Sequence, residues 1–480
     1  MILKFPNNFI FGTAISAFQT EMGSSKESVS ENSDWYKWVH DENNIKDGIV
    51  SGDLPENGDG FWDLYREDIS NAKYMGNNSI RLSIDWARIF PENIEDIYAN
   101  IKYEGKNIVG VTLPKNSLKE MLFSSNQEAI EHYKEIFKFI KDSGLLLFLT
   151  LYHWPLPLWL HDPIKCHDNI ETCEKKGWLD DKTIIEFGKY AYFISYVFSK
   201  YVDIWETINE PDVIASQGYF FGNLFGFLPG VSDINKAFKV EKNLALAHNI
   251  SFKNIKKFNK TKEVGIGIAP QYFEPIKNDK DTSNFVKFVK YLNNEWFPNA
   301  ANFGLFDNNL DIIFDEKIEN MVPPDFIGID YYQRVKIGYK GLPDVPYIFN
   351  IDLLPCEDCT DFMWDIYPPG LRYVSNELFE KYHRPLYILE NGIADAKDLK
   401  RSRFLIDHLI ELKKTIEEDK IPVKGYYHWS LIDNYEWARG FSMRFGLYSV
   451  DYNTKKRQPT KAVEIYKKIC NGEEIDDQYR

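Results

Sequence analysis

The stretch from Val202 to Pro211 reads "VDIWETINEP". It runs out of an apolar, β-forming segment, stops at a proline, and leaves Asn209 and Glu210 at its end. A strand that finishes on an amide and a carboxylate delivers polar groups to the place where a hydrophobic layer gives way to open space. Seven further segments are equally rich in β-formers: "FIFGTAIS" (9–16), "SIRLSI" (79–84), "LLLFLTLY" (145–152), "VGIGIA" (264–269), "FIGIDYY" (326–332), "PLYILE" (385–390) and "VKGYYHWS" (423–430). Most are separated by amphipathic or charged stretches long enough for a helix. "NQEAIEHYKEIFKFIKDSG" (126–144) sets Ile130, Tyr133, Ile136, Phe137 and Ile140 at helical spacing and stops at Gly144. "DKTIIEFGKYAYFISYVFSKY" (181–201) and "SRFLIDHLIELKKTIEE" (402–418) read as helices before the fourth and eighth strands. Strands alternating with helices predict parallel β-α units, and eight of them predict a closed α/β architecture, the (β/α)8 TIM barrel.

Residues near 90–125, 155–180 and 335–365 lack a clear period and read as excursions from the rim, the kind of loop used for lids or assembly surfaces. No internal repeat, low-complexity tract or Gly/Ser linker divides the chain, so residues 1–480 are expected to form one domain. With 44% hydrophobic residues the length suits one large barrel or two ordinary domains, and the strand pattern favours the barrel. The 12 Trp and 29 Tyr fit a polar ligand held flat against rings as well as they fit a filled core.

Seventy-two acidic against 57 basic residues give a net charge of -15, which argues against a nucleic-acid footprint. No run of about 18 apolar residues occurs, so no membrane span is expected. The opening "MILKFPNNFIFGTAISAFQT" imitates a secretory leader, but Pro6, Asn7 and Asn8 interrupt it; the reading is a cytoplasmic protein. Five cysteines do not make a secreted disulfide framework. "CEDC" (356–359) has a zinc-like spacing, yet no second such pair follows, so Cys356, Cys359, Cys166 and Cys173 are read as ordinary thiols or local disulfides.

In a parallel barrel the reactive groups lie at the C-terminal ends of the strands. Here those ends carry Gln19, Arg81 with Asp85, His153, Asn209 with Glu210, Gln271, Tyr332, Glu390 with Asn391, and Trp429. Rims are polar in any case, so position alone is weak. Sharper is that "TINEP" and "ILENG" each push an amide and a carboxylate out of an apolar strand. Two carboxylates on one rim suit glycosidic bond hydrolysis, which needs a proton for the leaving oxygen and a negative group for an oxocarbenium-like carbon. A gap of about 5 Å between them goes with retention and one of about 6.5 to 9.5 Å with inversion. Glu206, four residues before Glu210 on the same strand, reads as a support.

Taken together, "TINEP", "ILENG", "FIFGTAISAFQTE", "LYHWPLPLWL", "FIGIDYY" and "WSLIDNYEWARGFSMRFGLYSVDY" resemble glycoside hydrolase family 1, the retaining β-glycosidases, and especially its archaeal thermophilic members. The resemblance runs from about residue 5 to 465. It implies that Glu210 is the general acid/base, that Asn209 holds the sugar 2-hydroxyl, and that Glu390 is the nucleophile, with Tyr332 and Arg81 beside it. It also implies that Gln19, His153, Trp429, Glu436 and Trp437 grip the sugar, that no metal or cofactor is needed, and that the chain forms a homo-oligomer, tetramer or dimer. The substrates so implied are small β-linked saccharides and aryl or alkyl β-glycosides, with no nucleic-acid or membrane partner.

Family members that act on 6-phosphorylated sugars lack the acid at the position of Glu436, where a carboxylate would repel a phosphate dianion. Unphosphorylated β-glucosides or β-galactosides are therefore expected; a 6-phospho-β-glycosidase and a non-catalytic sugar-binding barrel are the rivals. Two positions depart from the family pattern: Asp330 stands where Asn is usual, and Asp212 follows Pro211 where Asn is common. Extra carboxylates there are expected to raise neighbouring acid pKa values.

Overall fold

The eight expected strands form, and they close on one another. In the computed structural model, which describes residues 1–475, they are β1 (Ile10–Ala14), β2 (Ser79–Ser83), β3 (Leu146–Tyr152), β4 (Ile204–Asn209), β5 (Glu263–Ile268), β6 (Phe326–Asp330), β7 (Leu386–Asn391) and β8 (Val423–Trp429). All neighbours run parallel, and β8 pairs with β1 to complete the barrel. Residues 476–480 of the expected 1–480 domain lie outside the described residues. The leader-like apolar stretch near the start is β1 itself: residues 11–14 are buried. No helix among the described residues is long and apolar enough to cross a membrane.

Strand side chains alternate between two faces, so every second residue enters the barrel. Low in the interior, Phe148, Phe326, Tyr387 and Tyr427 meet edge to face, with ring centroids 4.8 to 5.9 Å apart. Glycines on the intervening strands leave them room: a side chain at Gly12 would meet the Tyr427 ring at 2.4 Å, and one at Gly265 would meet the Phe326 ring at 2.4 Å. Two residues further along, the layer becomes largely polar: Phe148 is followed by Thr150, Ile204 by Glu206 and Ser79 by Arg81, while Tyr427 is followed by Trp429. The aromatic floor is thus the support on which the polar layer stands.

The helical readings agree with the structure. Helix α1 (Gln127–Asp142) is capped by the Asn126 side chain and buries Ile130, Tyr133, Ile136, Phe137 and Ile140. Gly144 then turns the chain with a φ of 76°, a value that suits glycine. Helices α2 (Asp181–Phe198), α3 (Ile234–Phe258) and α4 (Arg401–Glu417) cover the barrel wall.

The aperiodic stretches hold more structure than the sequence suggested. Residues 90–125 contain a hairpin, Asn100–Glu104 with Asn107–Thr112, and a helix, Lys115–Ser124. The hairpin lies against α2 and α3, where Gly188 admits Val111. Its first strand is almost wholly exposed, so it has no apolar alternation to read. In the stretch 335–365, Arg334–Tyr339 forms a small sheet with Tyr272–Pro275 and Ile351–Leu353. Cys166 is joined to Cys173 and Cys356 to Cys359, and Cys470 is the free cysteine.

Truncating the floor removes a ring that touches three others. Phe148→Ala is expected to lower the unfolding free energy by about 3–5 kcal/mol, read as a denaturation midpoint displaced to lower denaturant.

Candidate active site

Arg81 projects from β2 into the polar layer and is 1% exposed. Its guanidinium donates from Nη1 to Glu390 Oε1 at 2.6 Å, from Nη2 to Asn209 Oδ1 at 2.5 Å, and from Nε to Glu206 Oε2 at 2.9 Å. Burial alone would favour a neutral arginine, but Glu206, Glu390 and Asp330 outweigh it and push the Arg81 pKa up. The second Glu390 oxygen accepts from the Tyr332 hydroxyl at 2.6 Å. Two donors on two oxygens suit a carboxylate that acts as an anion.

Glu210 enters the same space from β4 by an unusual backbone. It sits at the N-terminal boundary of the helix Pro211–Tyr219 with φ 46° and ψ 61°, a left-handed conformation that costs a non-glycine residue about 1–3 kcal/mol. Its amide donates to Gly267 O at 3.0 Å, and Pro211, which has no N–H to lose, opens the helix. Strand alternation cannot send both Asn209 and Glu210 inward; the turn does so, together with a register shift between Glu206 and Asn209 against β5. Similar shifts bracket Glu390 on both of its neighbouring strands. One oxygen each of Glu210, Asp330 and Glu390 lie within 4.8 Å of one another. That spacing could hold a cation, but Arg81 already brings a positive charge to Glu390 at the same place.

Electrostatics separates the carboxyls. Burial first, then Glu390 and Asp212, push the Glu210 pKa well above the usual carboxylate range, against the pull of Arg81. Asp330 is raised likewise, by burial and then by Glu390. Asp212 is raised to about 7 by burial, with Ala269 N–H donating to it. The expectation that acids at 330 and 212 lift their neighbours thus has a physical basis at Asp212, which acts on Glu210.

The remaining predicted residues line the same mouth. Gln19 Nε2 donates to Glu436 Oε2 at 3.2 Å, and Asn434 donates to the same oxygen at 2.6 Å. Glu436 is pushed up to about 8 by desolvation and by Glu390, with those two amides acting against the rise. The His153 ring stacks with Trp429 (5.9 Å, 15°) and Trp437 (6.2 Å, 13°). Its pKa falls well below the ordinary value through burial and through Arg81, so the ring is neutral. Asn209 Nδ2 lies 3.4 Å from His153 Nε2.

Three other strand-end residues serve the scaffold. Asp85 caps the helix Trp86–Ile89, Asn391 bonds Tyr331 O and Tyr426, and Gln271 is tied through its backbone to Asn294. Sequence reasoning missed Thr150, which donates to Glu206, and Asn434, which holds Glu436. It missed also Trp154, whose indole donates to Asn209 O at 3.1 Å from a backbone with φ 86°. Trp154 stands next to His153 in "YHWP", which was the available signal.

Residues 1–105 and 121–475 match the family described as "Glycosyl hydrolase family 1". The chain is 38% identical over 482 residues to the β-galactosidase of Saccharolobus solfataricus, covering 99% of this chain and 96% of that one. It superposes with a TM-score of 0.91 on the β-glycosidase of Thermosphaera aggregans, at 35% identity and covering 99% and 98% of the two chains. A second solved structure, a β-glucosidase mutant derived from a hyperthermophilic tetrameric structure, has a TM-score of 0.89 at 37% identity, over 99% and 97%.

The glycine of "ILENG" has a steric cause: a Cβ on Gly392 would lie 1.6 Å from the carbonyl oxygen of Trp429. Gly392→Ala must displace either the Glu390 strand or the Trp429 backbone. It is expected to cost at least about 10²-fold in kcat/KM while far-UV circular dichroism keeps its shape.

Proposed function

The chain belongs to glycosyl hydrolase family 1, and from that premise we propose that it hydrolyses terminal, non-reducing β-D-glucosides and β-D-galactosides with retention of configuration. The observation that carries this reading is the approach of Glu210 and Glu390, whose oxygens come within 4.8 Å of each other. That is the short gap of a double displacement, too narrow for an intervening water to attack directly.

In the first half-reaction a Glu390 oxygen bonds to the anomeric carbon while Glu210 gives its proton to the departing glycosidic oxygen. The elevated Glu210 pKa supports the acid role, because the group keeps its proton above the ordinary carboxylate range. Once Glu390 is an ester, its negative charge no longer burdens Glu210. Glu210 then takes a proton from water as the water oxygen attacks the anomeric carbon and Glu390 leaves as a carboxylate.

Gln19, His153, Asn209, Glu436, Trp429 and Trp437 are proposed to hold the sugar, the amides and carboxyl by its hydroxyls and the rings by its apolar face. Glu436, an acid held by Gln19 and Asn434, offers no cation to a sugar phosphate, which the rival 6-phospho reading requires. Small β-linked saccharides and aryl or alkyl β-glycosides are the proposed substrates. A cytoplasmic homo-oligomer, tetramer or dimer, is proposed alongside.

Glu390→Gly should lose hydrolysis and recover turnover with azide, yielding the α-glycosyl azide. Glu210→Ala should cost about 10²–10⁴-fold on poor leaving groups and far less on activated aryl glycosides. Full activity in either variant removes the role assigned to that residue. The pH dependence follows in sign: the first step needs protonated Glu210, whose pKa is raised, so activity persists above the ordinary carboxylate range and falls as pH rises through that pKa. With an activated substrate, Glu210→Ala should abolish this alkaline limb.

A further inference from the structure

Four carboxyl groups surround one guanidinium. Glu206, Glu210, Asp330 and Glu390 are each no more than 6% exposed, and Arg81 is the cation among them, bonded to Glu206 and Glu390. Four anions against one cation cannot coexist in a water-poor interior, so protons must sit on some of them. Glu390 has donors on both oxygens. Glu206 has donors on one only: Oε2 accepts from Arg81 and Thr150, while Oε1 has none. Asp330 is buried with no donor on either oxygen. A deprotonated Asp330 in that state carries the full cost of an unpaired buried charge.

The two orphans face one place. A side chain on Gly267 would begin 2.1 Å from Glu206 Oε1 and 3.4 Å from Asp330 Oδ2. Glycine on β5 therefore leaves a notch into which both carboxyls reach, one from β4 and one from β6. A proton on Asp330 converts its hydroxyl into a donor, and Glu206 Oε1 is an acceptor without another partner.

We propose that Glu206 and Asp330 share a single proton across Gly267, forming a carboxyl–carboxylate pair whose one negative charge competes with Glu390 for Arg81. Both are positioning residues, acting on the nucleophile through the guanidinium. Glu206 engages Nε at 2.9 Å and Nη2 at 2.8 Å, which turns Nη1 toward Glu390. The rise in the Asp330 pKa, from burial and then Glu390, agrees with a retained proton. The charged and titratable groups that bear on the pair are Arg81 from β2, Glu210 beyond β4, Tyr332 beyond β6 and Glu390 on β7.

The proposal rests on Glu390 being the nucleophile for its kinetic consequence but not for the proton itself, so two readouts are used. The first is the infrared difference spectrum between the wild type and Asp330→Asn near neutral pH, which needs no turnover. It is expected to lose a protonated-carboxyl carbonyl band; an unchanged band overturns the shared proton even if the azide rescue at Glu390 succeeds. The second is the acid limb of kcat/KM on an activated aryl β-glucoside. Asp330→Asn keeps a donor to Glu206 and the pair's single charge, so the limb should stay in place. The double variant Glu206→Gln/Asp330→Asn has no charge, leaves Arg81 to Glu390, and should move the limb to lower pH by about one unit. A limb that moves as far in Asp330→Asn as in the double variant, or in neither, overturns the proposal. Should the double variant not fold, the infrared result decides by itself.

Discussion

The balance of charge around Arg81 governs this centre. A single guanidinium, 1% exposed, bonds three residues that arrive from two strands of the barrel, and it is the cation bonded to the acids Glu206 and Glu390. Because these groups are almost fully buried, each carboxyl must be paired, bonded or protonated. Glu390 and Glu206 are paired with the cation; Glu210 and Asp330 are pushed toward holding protons by burial and by the Glu390 charge. The proposed division of labour between an attacking anion and a proton-bearing acid is consistent with this shortage of positive charge.

The same interior is built with deliberate vacancies. Gly12 and Gly265 make room for the aromatic floor, Gly267 for the Glu206 carboxyl, and Gly392 for the Trp429 backbone. At the rim the chain accepts strain instead: Trp154, Glu210 and Trp437 all have positive φ without being glycine. Each belongs to or touches the proposed sugar site. Conformations of this kind persist only where the surroundings over-determine them, and here barrel strands and packed rings provide that support.

Much of the barrel was legible because its strands are short, β-rich and bounded by turn signals, and because the amphipathic period of α1 is unambiguous. The hairpin in 90–125 was not legible, since a strand exposed on nearly every residue has no alternation to detect. The site was readable where polar residues end apolar strands, as with Glu210 and Glu390. It was not readable at Thr150 and Asn434, which look like ordinary polar residues until their partners are seen. Asp85, Asn391 and Gln271 had the same strand-end position as the site residues and turned out to serve caps and backbone ties.

The number and order of the strands, the family resemblance and the presence of two carboxylates on one rim are written along the chain, because these depend on local composition and on short motifs. How far apart those carboxylates stand, which of the buried acids bond Arg81, and the convergence of Glu206 and Asp330 on Gly267 come from the folded barrel. Those quantities arise from register and closure of the barrel, which set distances between residues more than a hundred positions apart, and no spacing along the chain contains them.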